Sequence, residues 1–232
     1  MPMTEQIKEH PILFSALMVR AILEGRKTVT RRAAKIQPRS RADIGSYGKG
    51  QPFIRNPDAT KRNPGCPYGR PGDRMWVRET WGVISHDFDE QGNMIDWNPD
   101  RPATAIRELP FGRGYYSGHV IYRADGEAEW AGDDDGGGDT RSAWHPSIHM
   151  PRAASRILLE ITDVRVERLQ DISRADIRAE GLQCPPEMES DDVSPNYRDW
   201  YPAAWRELWE STGGNWHANP WSWVVEFKRV TP

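Results

Sequence analysis

The sequence has few cysteines and no long apolar stretch. Its two cysteines, Cys66 and Cys184, are too few for a disulfide framework and are typical of a reducing compartment. No apolar stretch approaches the ~20 residues that a membrane-spanning helix needs. The N-terminal sequence MPMTEQIKEH also lacks the apolar region of a signal peptide. We therefore expect a cytoplasmic protein that makes no contact with a membrane.

Hydrophobic residues are scarce, at 37% of the chain with a mean hydropathy of −0.78, but tryptophan is abundant. Six of the 11 tryptophans lie after residue 199, so the C-terminal part must contribute to a core. Residues 197–211 place tryptophans at helical spacing, which predicts a core helix. A length of 232 residues allows one elaborated domain or two small ones. We predict a single domain over residues 1–232.

The chain has no excess of basic charge, and its formal net charge of −3 argues against a general nucleic-acid binder. The charges are nevertheless unevenly distributed. Residues 20–78 hold 15 Lys/Arg and 4 Asp/Glu, a balance of +11, whereas residues 87–139 hold 4 Arg and 13 Asp/Glu, a balance of −9. We predict a basic loop at about residues 39–70 and an acidic insertion at about residues 85–143. The two regions indicate either one anion-binding face or mutual neutralisation across the fold.

Possible metal ligands are few and poorly spaced. The candidate zinc ligands are Cys66, Cys184, His145 and His149. Neither cysteine has a CxxC partner, and Pro146 disfavours a helix that would place both histidines on one face. The acidic run at residues 132–139 lacks the ligand spacing of an EF-hand loop. We therefore predict no bound metal and no cofactor.

Residues 22–32, with the sequence ILEGRKTVTRR, combine a helix end with a basic and hydroxyl-rich cluster. Gly25 follows an apolar helical pattern at the position where helices commonly end. The residues after it have the hydroxyls and β-branching of a strand. The cluster consists of Arg26, Lys27, Thr28, Thr30, Arg31 and Arg32. An ammonium beside hydroxyls and guanidinium groups suits binding an anion or activating a hydroxyl, and the alternative is a solvated basic hairpin.

Three later segments predict strands, and one predicts a helix. The strands are residues 75–81 after a PGD turn, residues 156–169 with alternating apolar and polar positions, and residues 221–230. A helix is predicted between residues 173 and 181, ending at a glycine. Glu79 is interpreted as a supporting carboxylate of a site or, preferably, as a paired strand charge. The mixture of elements predicts an α+β fold.

These motifs together resemble the ASCH family. The resemblance lies in LxGxKTxTxR at residues 23–32, PGDRMWV at residues 71–77 and WVVEFKRV at residues 223–230. The chain also looks like the longer ASCH-like proteins of phages and prophages, through GRPGDRMWVRETW and WHPSIHMPRAASRI. The matching segments cover under half of the chain: residues 12–32, 71–77, 156–182 and 221–230. The resemblance implies a PUA-like β-barrel with flanking helices and a large inserted segment.

The resemblance also implies an active site. One ASCH subgroup hydrolyses the amide of N(4)-acetylcytidine with a lysine, a threonine and a glutamate, and the matching positions here are Lys27, Thr30 and Glu180. Thr30 would attack the acetyl carbonyl, and Lys27, with a pKa lowered by neighbouring cations, would accept the proton. Glu180 would orient Lys27 or protonate the leaving amine. Lys27 and Thr30 face opposite ways on a regular strand, so the turn must bend to bring them together, and Thr28 is an alternative nucleophile.

The expected partner is a modified nucleoside or single-stranded RNA or DNA. The residues expected to bind it are Arg26, Thr28, Arg31, Arg32, Glu79, His149 and Arg152, the last two near the mouth of the barrel. Two other functions remain open. The first is a module that binds RNA or a modified nucleic acid without turnover. The second is a ribonuclease that uses Lys27 with a histidine such as His149.

Overall fold

A computed structural model describes residues 6–48, 50–128, 144–186 and 200–231 of the chain. The strands are β1 (Glu9–Leu13), β2 (Val29–Ala33), β3 (Ile44–Ser46), β4 (Pro52–Ile54), β5 (Arg74–Arg78), β6 (Trp81–Ile84), β7 (His86–Phe88), β8 (Met94–Asp96), β9 (Thr104–Phe111), β10 (Gly114–Tyr122), β11 (Leu158–Arg168) and β12 (Trp221–Val230). The α-helices are α1 (Ala16–Leu23), α2 (Arg174–Ala179) and α3 (Trp200–Ser211). This mixture confirms the α+β class. None of the described helices has the length and apolar composition to cross a membrane.

The largest sheet contains five strands in the order β1-β5-β11-β12-β2. The four segments that carry the ASCH resemblance overlap all five of these strands. The other sheets, β6-β10-β9, β3-β4 and β7-β8, come from the residues between those segments. No sheet within the described part of the chain closes on itself as a barrel. The motifs therefore build one common sheet, and the intervening residues build separate ones.

The chain divides into two compact units. The first unit consists of Met1–His10, Ala21–Met75 and Leu159–Val230. The second unit consists of Pro11–Arg20, Trp76–Leu158 and Thr231–Pro232. That residues 1–232 form a single domain stays a prediction.

The first unit buries the tryptophan-rich helix that its spacing predicts. Its helical core consists of Leu169, Ile177, Cys184, Tyr201, Trp205 and Trp209. Helix α3 presents both of its buried tryptophans to this cluster, which also receives Ile177 from α2. The core role of the helix is confirmed, and residues 197–199, which the sequence adds to its start, lie outside the described part. Strand β12 pairs antiparallel with β2 in the same unit.

The basic segment at residues 39–70 is more ordered than its composition predicts. It contains a 3-10 turn at Arg41–Asp43 and the antiparallel hairpin β3–β4. Ile54 is buried, and the rings of Tyr47 and Phe53 pack with their centroids 4.5 Å apart. The prediction of a basic loop did not include this hairpin, because three-residue strands are too short to show hydrophobic periodicity.

The second unit contains the sheet β6-β10-β9, in which β10 pairs antiparallel with both neighbours. Its core consists of Trp81, Val83, Leu109, Val120, Tyr122, Met150 and Ala154. The predicted acidic insertion at residues 85–143 therefore contributes strands β7 to β10. Its acidic run at residues 132–139 lies outside the described residues.

The strand predicted at residues 75–81 is two strands, β5 and β6. The interruption falls at Glu79 and Thr80, whose backbone groups bond elsewhere. The N–H of Glu79 donates to Sδ of Met150 at 3.4 Å, and the carbonyl of Thr80 accepts from the N–H of Arg123 at 3.0 Å. Apolar residues on both sides of the break concealed it in the sequence.

Candidate active site

The turn after α1 places Lys27 beside the end of α2. The carbonyl of Ala21 accepts hydrogen bonds from the N–H groups of Arg26 and Lys27, each at 2.9 Å, and the helix ends before Gly25 as predicted. The N–H of Thr28 then donates to the carbonyl of Ala179 at 2.8 Å. An isolated antiparallel bridge joins Lys27 to Glu180. The sequence-distant lysine and glutamate are thus brought together by backbone pairing within the first unit.

The side chains of Lys27 and Glu180 form a buried ion pair. Nζ of Lys27 donates to Oε2 of Glu180 at 2.6 Å, to the carbonyl of Glu180 at 3.0 Å and to the carbonyl of Val29 at 2.8 Å. The side chains of Lys27 and Glu180 are 0% and 2% exposed. An ammonium group has three N–H donors, so each of them has an acceptor here.

Burial lowers the pKa of Lys27 below its usual value. The carboxylate of Glu180 opposes this effect, and the guanidinium groups of Arg32 and Arg31 lower the pKa further. The site therefore makes the neutral amine easier to form than it is in water. A neutral amine can accept a proton from a hydroxyl group, which is the role of a general base.

Arg31 extends the ion pair into a larger charged network of the first unit. Its Nη2 donates to Oε2 of Glu167 at 2.9 Å and to Oδ2 of Asp176 at 2.6 Å, and its Nη1 lies 3.6 Å from Oε1 of Glu180. Arg165 binds the same two carboxylates and also Glu226. Neighbouring strands and α2 are joined by these contacts, so the network fixes the surroundings of Glu180.

One oxygen of Glu180 accepts no hydrogen bond from the described residues. This atom, Oε1, is buried, and the Nη1 and Nε atoms of Arg31 likewise donate none there. Oε1 faces Nη1 of Arg31 at 3.6 Å, which is the distance of an ion pair without a hydrogen bond. Oε1 can therefore still accept a hydrogen bond from an N–H group of a ligand.

The predicted nucleophile also lies in the first unit. Thr30 is 2% exposed and stands opposite Val225 in the β2–β12 ladder. Thr28, the alternative, is exposed, and its carbonyl accepts from the N–H of Phe227 at 2.9 Å. Because Lys27, Thr30 and Glu180 are all shielded from solvent, a substrate reaches them only when part of their cover opens.

The two other predicted cations of the motif, Arg26 and Arg32, are both half-buried. Arg26 donates through Nη1 to the carbonyl of Gly181 at 2.5 Å and through Nε to Glu24 at 2.7 Å. Arg32 is half-buried on β2, opposite Trp223. Arg26 therefore ties the motif to Gly181, the residue after Glu180.

The remaining predicted binding residues belong to the second unit. Glu79 is buried and accepts two hydrogen bonds from Arg156, each at 3.0 Å, and Arg156 also pairs with Asp125. The charge of Glu79 is paired as predicted, but Glu79 lies between β5 and β6 rather than within a strand. Burial raises the pKa of Glu79, and Arg156 opposes that rise. His149 is exposed in a 3-10 turn, and Arg152 is half-buried.

The four candidate zinc ligands are divided between the units. Cys66 and Cys184 belong to the first, and His145 and His149 belong to the second. The described residues contain no group of three or more His, Cys, Asp or Glu side chains placed to hold a metal ion. Cys184 instead packs into the helical core.

Sequence reasoning missed the partners of Arg31. Glu167 and Arg165 alternate along β11, and Asp176 lies in the first turn of α2. The alternation was a visible signal that these charges share one face of a strand. Their convergence on Arg31 depends on strand order, which no local pattern contains.

The chain matches no protein-family model, no curated protein and no solved structure in the comparisons made. The ASCH resemblance therefore rests on its motifs.

Proposed function

We propose that the chain is an ASCH-family protein and a metal-independent amidohydrolase that removes an acyl group from a modified base such as N(4)-acetylcytidine. The observation that carries the proposal is the buried pair of Lys27 and Glu180. Only the family motif relates these two residues in the sequence, and in the structure Nζ of Lys27 lies 2.6 Å from Oε2 of Glu180. The five-stranded sheet supports the family assignment, since the motif segments overlap all of its strands. In this proposal that sheet corresponds to part of a PUA-like β-barrel, with the other sheets as insertions.

The proposed reaction begins with proton transfer from the hydroxyl of Thr30 to neutral Lys27. The Thr30 oxygen bonds to the acyl carbon, and the proton passes on to the departing amine as the C–N bond breaks. Water then hydrolyses the ester on Thr30 and releases the carboxylic acid. Oε2 of Glu180 holds the lysine, while Oε1 accepts the N–H of the substrate amide. The lowered pKa of Lys27 supports its role as the base.

The test is chromatography of N(4)-acetylcytidine after incubation with purified protein. Wild type is expected to release cytidine, while Lys27→Met, Thr30→Val and Glu180→Gln each lower the rate by at least ~100-fold. The matched control is Lys61→Met, because Lys61 is 71% exposed and pairs with Asp58 on the surface. Thr28→Val separates the two candidate nucleophiles.

Circular dichroism establishes that each variant is folded before its rate is compared. Cytidine release by folded Lys27→Met at the wild-type rate would contradict the proposal. So would the absence of cytidine from wild type across a range of pH.

The second candidate function is a binding module for RNA or modified nucleic acid without turnover. The observation that favours it is that Lys27 and Glu180 are both shielded from solvent. Such burial suits an ion pair with a structural role as well as it suits a catalytic pair. In that case wild type binds an acetylated oligonucleotide and returns it unchanged. A filter-binding assay on the same samples, followed by chromatography of the bound fraction, distinguishes the two functions.

A further inference from the structure

The first unit contains an open cleft of about 710 Å³ that does not include the Lys27 site. Its walls come from the N-terminal segment, the β3–β4 hairpin and the chain leading to β5. The basic side chains that line it are Lys8, His10, Arg62 and Arg70. Its volume is in the range of small-molecule sites.

The acidic member of the described lining, Asp73, is already compensated. Asp73 is 5% exposed, and its carboxylate accepts hydrogen bonds from the backbone N–H groups of Lys8 at 3.1 Å and Arg70 at 3.2 Å. Its charge is thereby held in the wall by backbone donors. The ammonium of Lys8 and the guanidinium of Arg62 are exposed, so the open side of the cleft is positive.

An aromatic ring stands at the same cleft. Tyr47 is 51% exposed, and its ring packs against Phe53. Its hydroxyl donates to the carbonyl of Asn63 at 3.0 Å, and the guanidinium of Arg62 lies 6.0 Å from its ring centroid. These contacts fix the ring while more than half of the residue stays open to solvent. A fixed and half-exposed aromatic ring beside cations suits the stacking of a nucleobase next to its phosphate.

We infer that this cleft binds a nucleotide unit, with its phosphate on Lys8 and Arg62 and its base on Tyr47. The inference requires no turnover at Lys27, so it stands or falls separately from the proposed amidohydrolase. The nucleotide can be free or part of a single strand, because both present the same phosphate and base. If the basic segment were merely a solvated surface, each of its cations would contribute equally to the binding affinity, whether or not it lines the cleft.

The experiment is fluorescence anisotropy with a fluorescein-labelled ten-nucleotide oligocytidylate, titrated at several salt concentrations. Lys8→Gln and Arg62→Gln are each expected to weaken binding and to reduce the slope of log affinity against log salt by about 0.7. Tyr47→Ala is expected to weaken binding at least about fivefold with an unchanged slope, because stacking does not release counterions. All three side chains are at least partly open to solvent, so thermal unfolding should stay close to wild type.

A control variant locates the effect. Lys61→Gln removes an exposed cation of the same basic segment that does not line the cleft, and it should leave affinity unchanged. Equal losses in Lys61→Gln and Arg62→Gln would overturn the inference, as would wild-type affinity in Tyr47→Ala.

Competition identifies the form of the ligand. Displacement of the oligonucleotide by cytidine monophosphate supports a site for a free nucleotide, whereas displacement only by unlabelled oligonucleotide supports a nucleotide within a strand. If inorganic phosphate displaced the oligonucleotide as effectively as cytidine monophosphate does, the inference that the cleft recognises the base would be overturned.

Discussion

The pairing of Lys27 with Glu180 makes a stability prediction at the scale of single residues. Removing either charge leaves the other buried without its partner, so Lys27→Met and Glu180→Gln should each lower the free energy of unfolding by ~3–5 kcal/mol. The double variant should lose less than the sum, because no orphaned charge remains between the two positions. Urea denaturation of the four proteins measures this coupling.

Lys61→Met is again the control, and it should change stability by no more than ~0.5 kcal/mol. Additive losses in the double variant would mean that the two side chains do not interact in the folded protein.

The lowered pKa of Lys27 predicts how stability depends on pH. Between the folded-state pKa and the usual value of 10.5, the unfolded chain binds more protons at this residue than the folded chain does. The stability of wild type relative to Lys27→Met should therefore rise with pH in that window, by at most ~1.4 kcal/mol per pH unit. Denaturation of both proteins from pH 7 to 10.5 tests this, and a falling difference would contradict it.

Cys66 should be an unreactive thiol in the folded protein. Cys66 is half-buried, and this burial raises the pKa of its thiol from 9.0 to about 12, which lowers its thiolate fraction at pH 8. Alkylation by iodoacetamide, followed by peptide mass spectrometry, should label Cys66 slowly in buffer and rapidly in guanidinium chloride. Equal labelling rates in the two solvents would mean that the thiol is not buried.

At the scale of elements, the end of α2 holds Lys27 through a close approach at Gly181. Gly181 has φ +95°, and an added Cβ would lie 2.8 Å from Cβ of Ala21 and 3.1 Å from Cβ of Lys27. Gly181→Ala should therefore combine an unfavourable backbone conformation with crowding, at ~2–4 kcal/mol. It should also displace Lys27 and lower any turnover.

Gly213, after α3, supplies the matched control. It has φ +82° but no atom within 4 Å of an added Cβ, so Gly213→Ala should cost only the backbone part, ~1 kcal/mol. Thermal and urea denaturation compare the two variants. Equal losses of stability in the two variants would show that the residues around Lys27 move to accommodate the added Cβ at no cost.

Elements with a long pattern were predictable from the sequence, and short ones were not. Strand β12 has the bounds Trp221–Val230 that its apolar run predicts, and α2 begins after Ser173, whose hydroxyl accepts from the N–H of Asp176 at 3.0 Å. The β3–β4 hairpin and the break before β6 escaped prediction. The strands of the hairpin are too short to show periodicity, and the break involves a contact between Glu79 and the distant Met150, which propensity and periodicity do not encode.

At the scale of the whole molecule, the uneven charge of the sequence is partly neutralised by pairs within each unit. In the first unit Arg31 and Arg165 meet carboxylates of β11 and α2, and in the second unit Arg156 meets Glu79 and Asp125. The sequence counts were right, but they could not assign partners. Within the candidate site, only the family motif indicated that Lys27 and Glu180 belong together. The two residues lie on segments far apart in the sequence, and composition does not connect such segments.

The order of the five-stranded sheet has a consequence for synthesis on the ribosome. Strand β2 lies at one edge and has β12 as its neighbour in the sheet, with Glu226 opposite Val29. The residues between β2 and β12 must therefore emerge before β2 acquires its ladder, and contacts of such long sequence separation make folding slow. Until then the edge of β2 is exposed to other nascent chains.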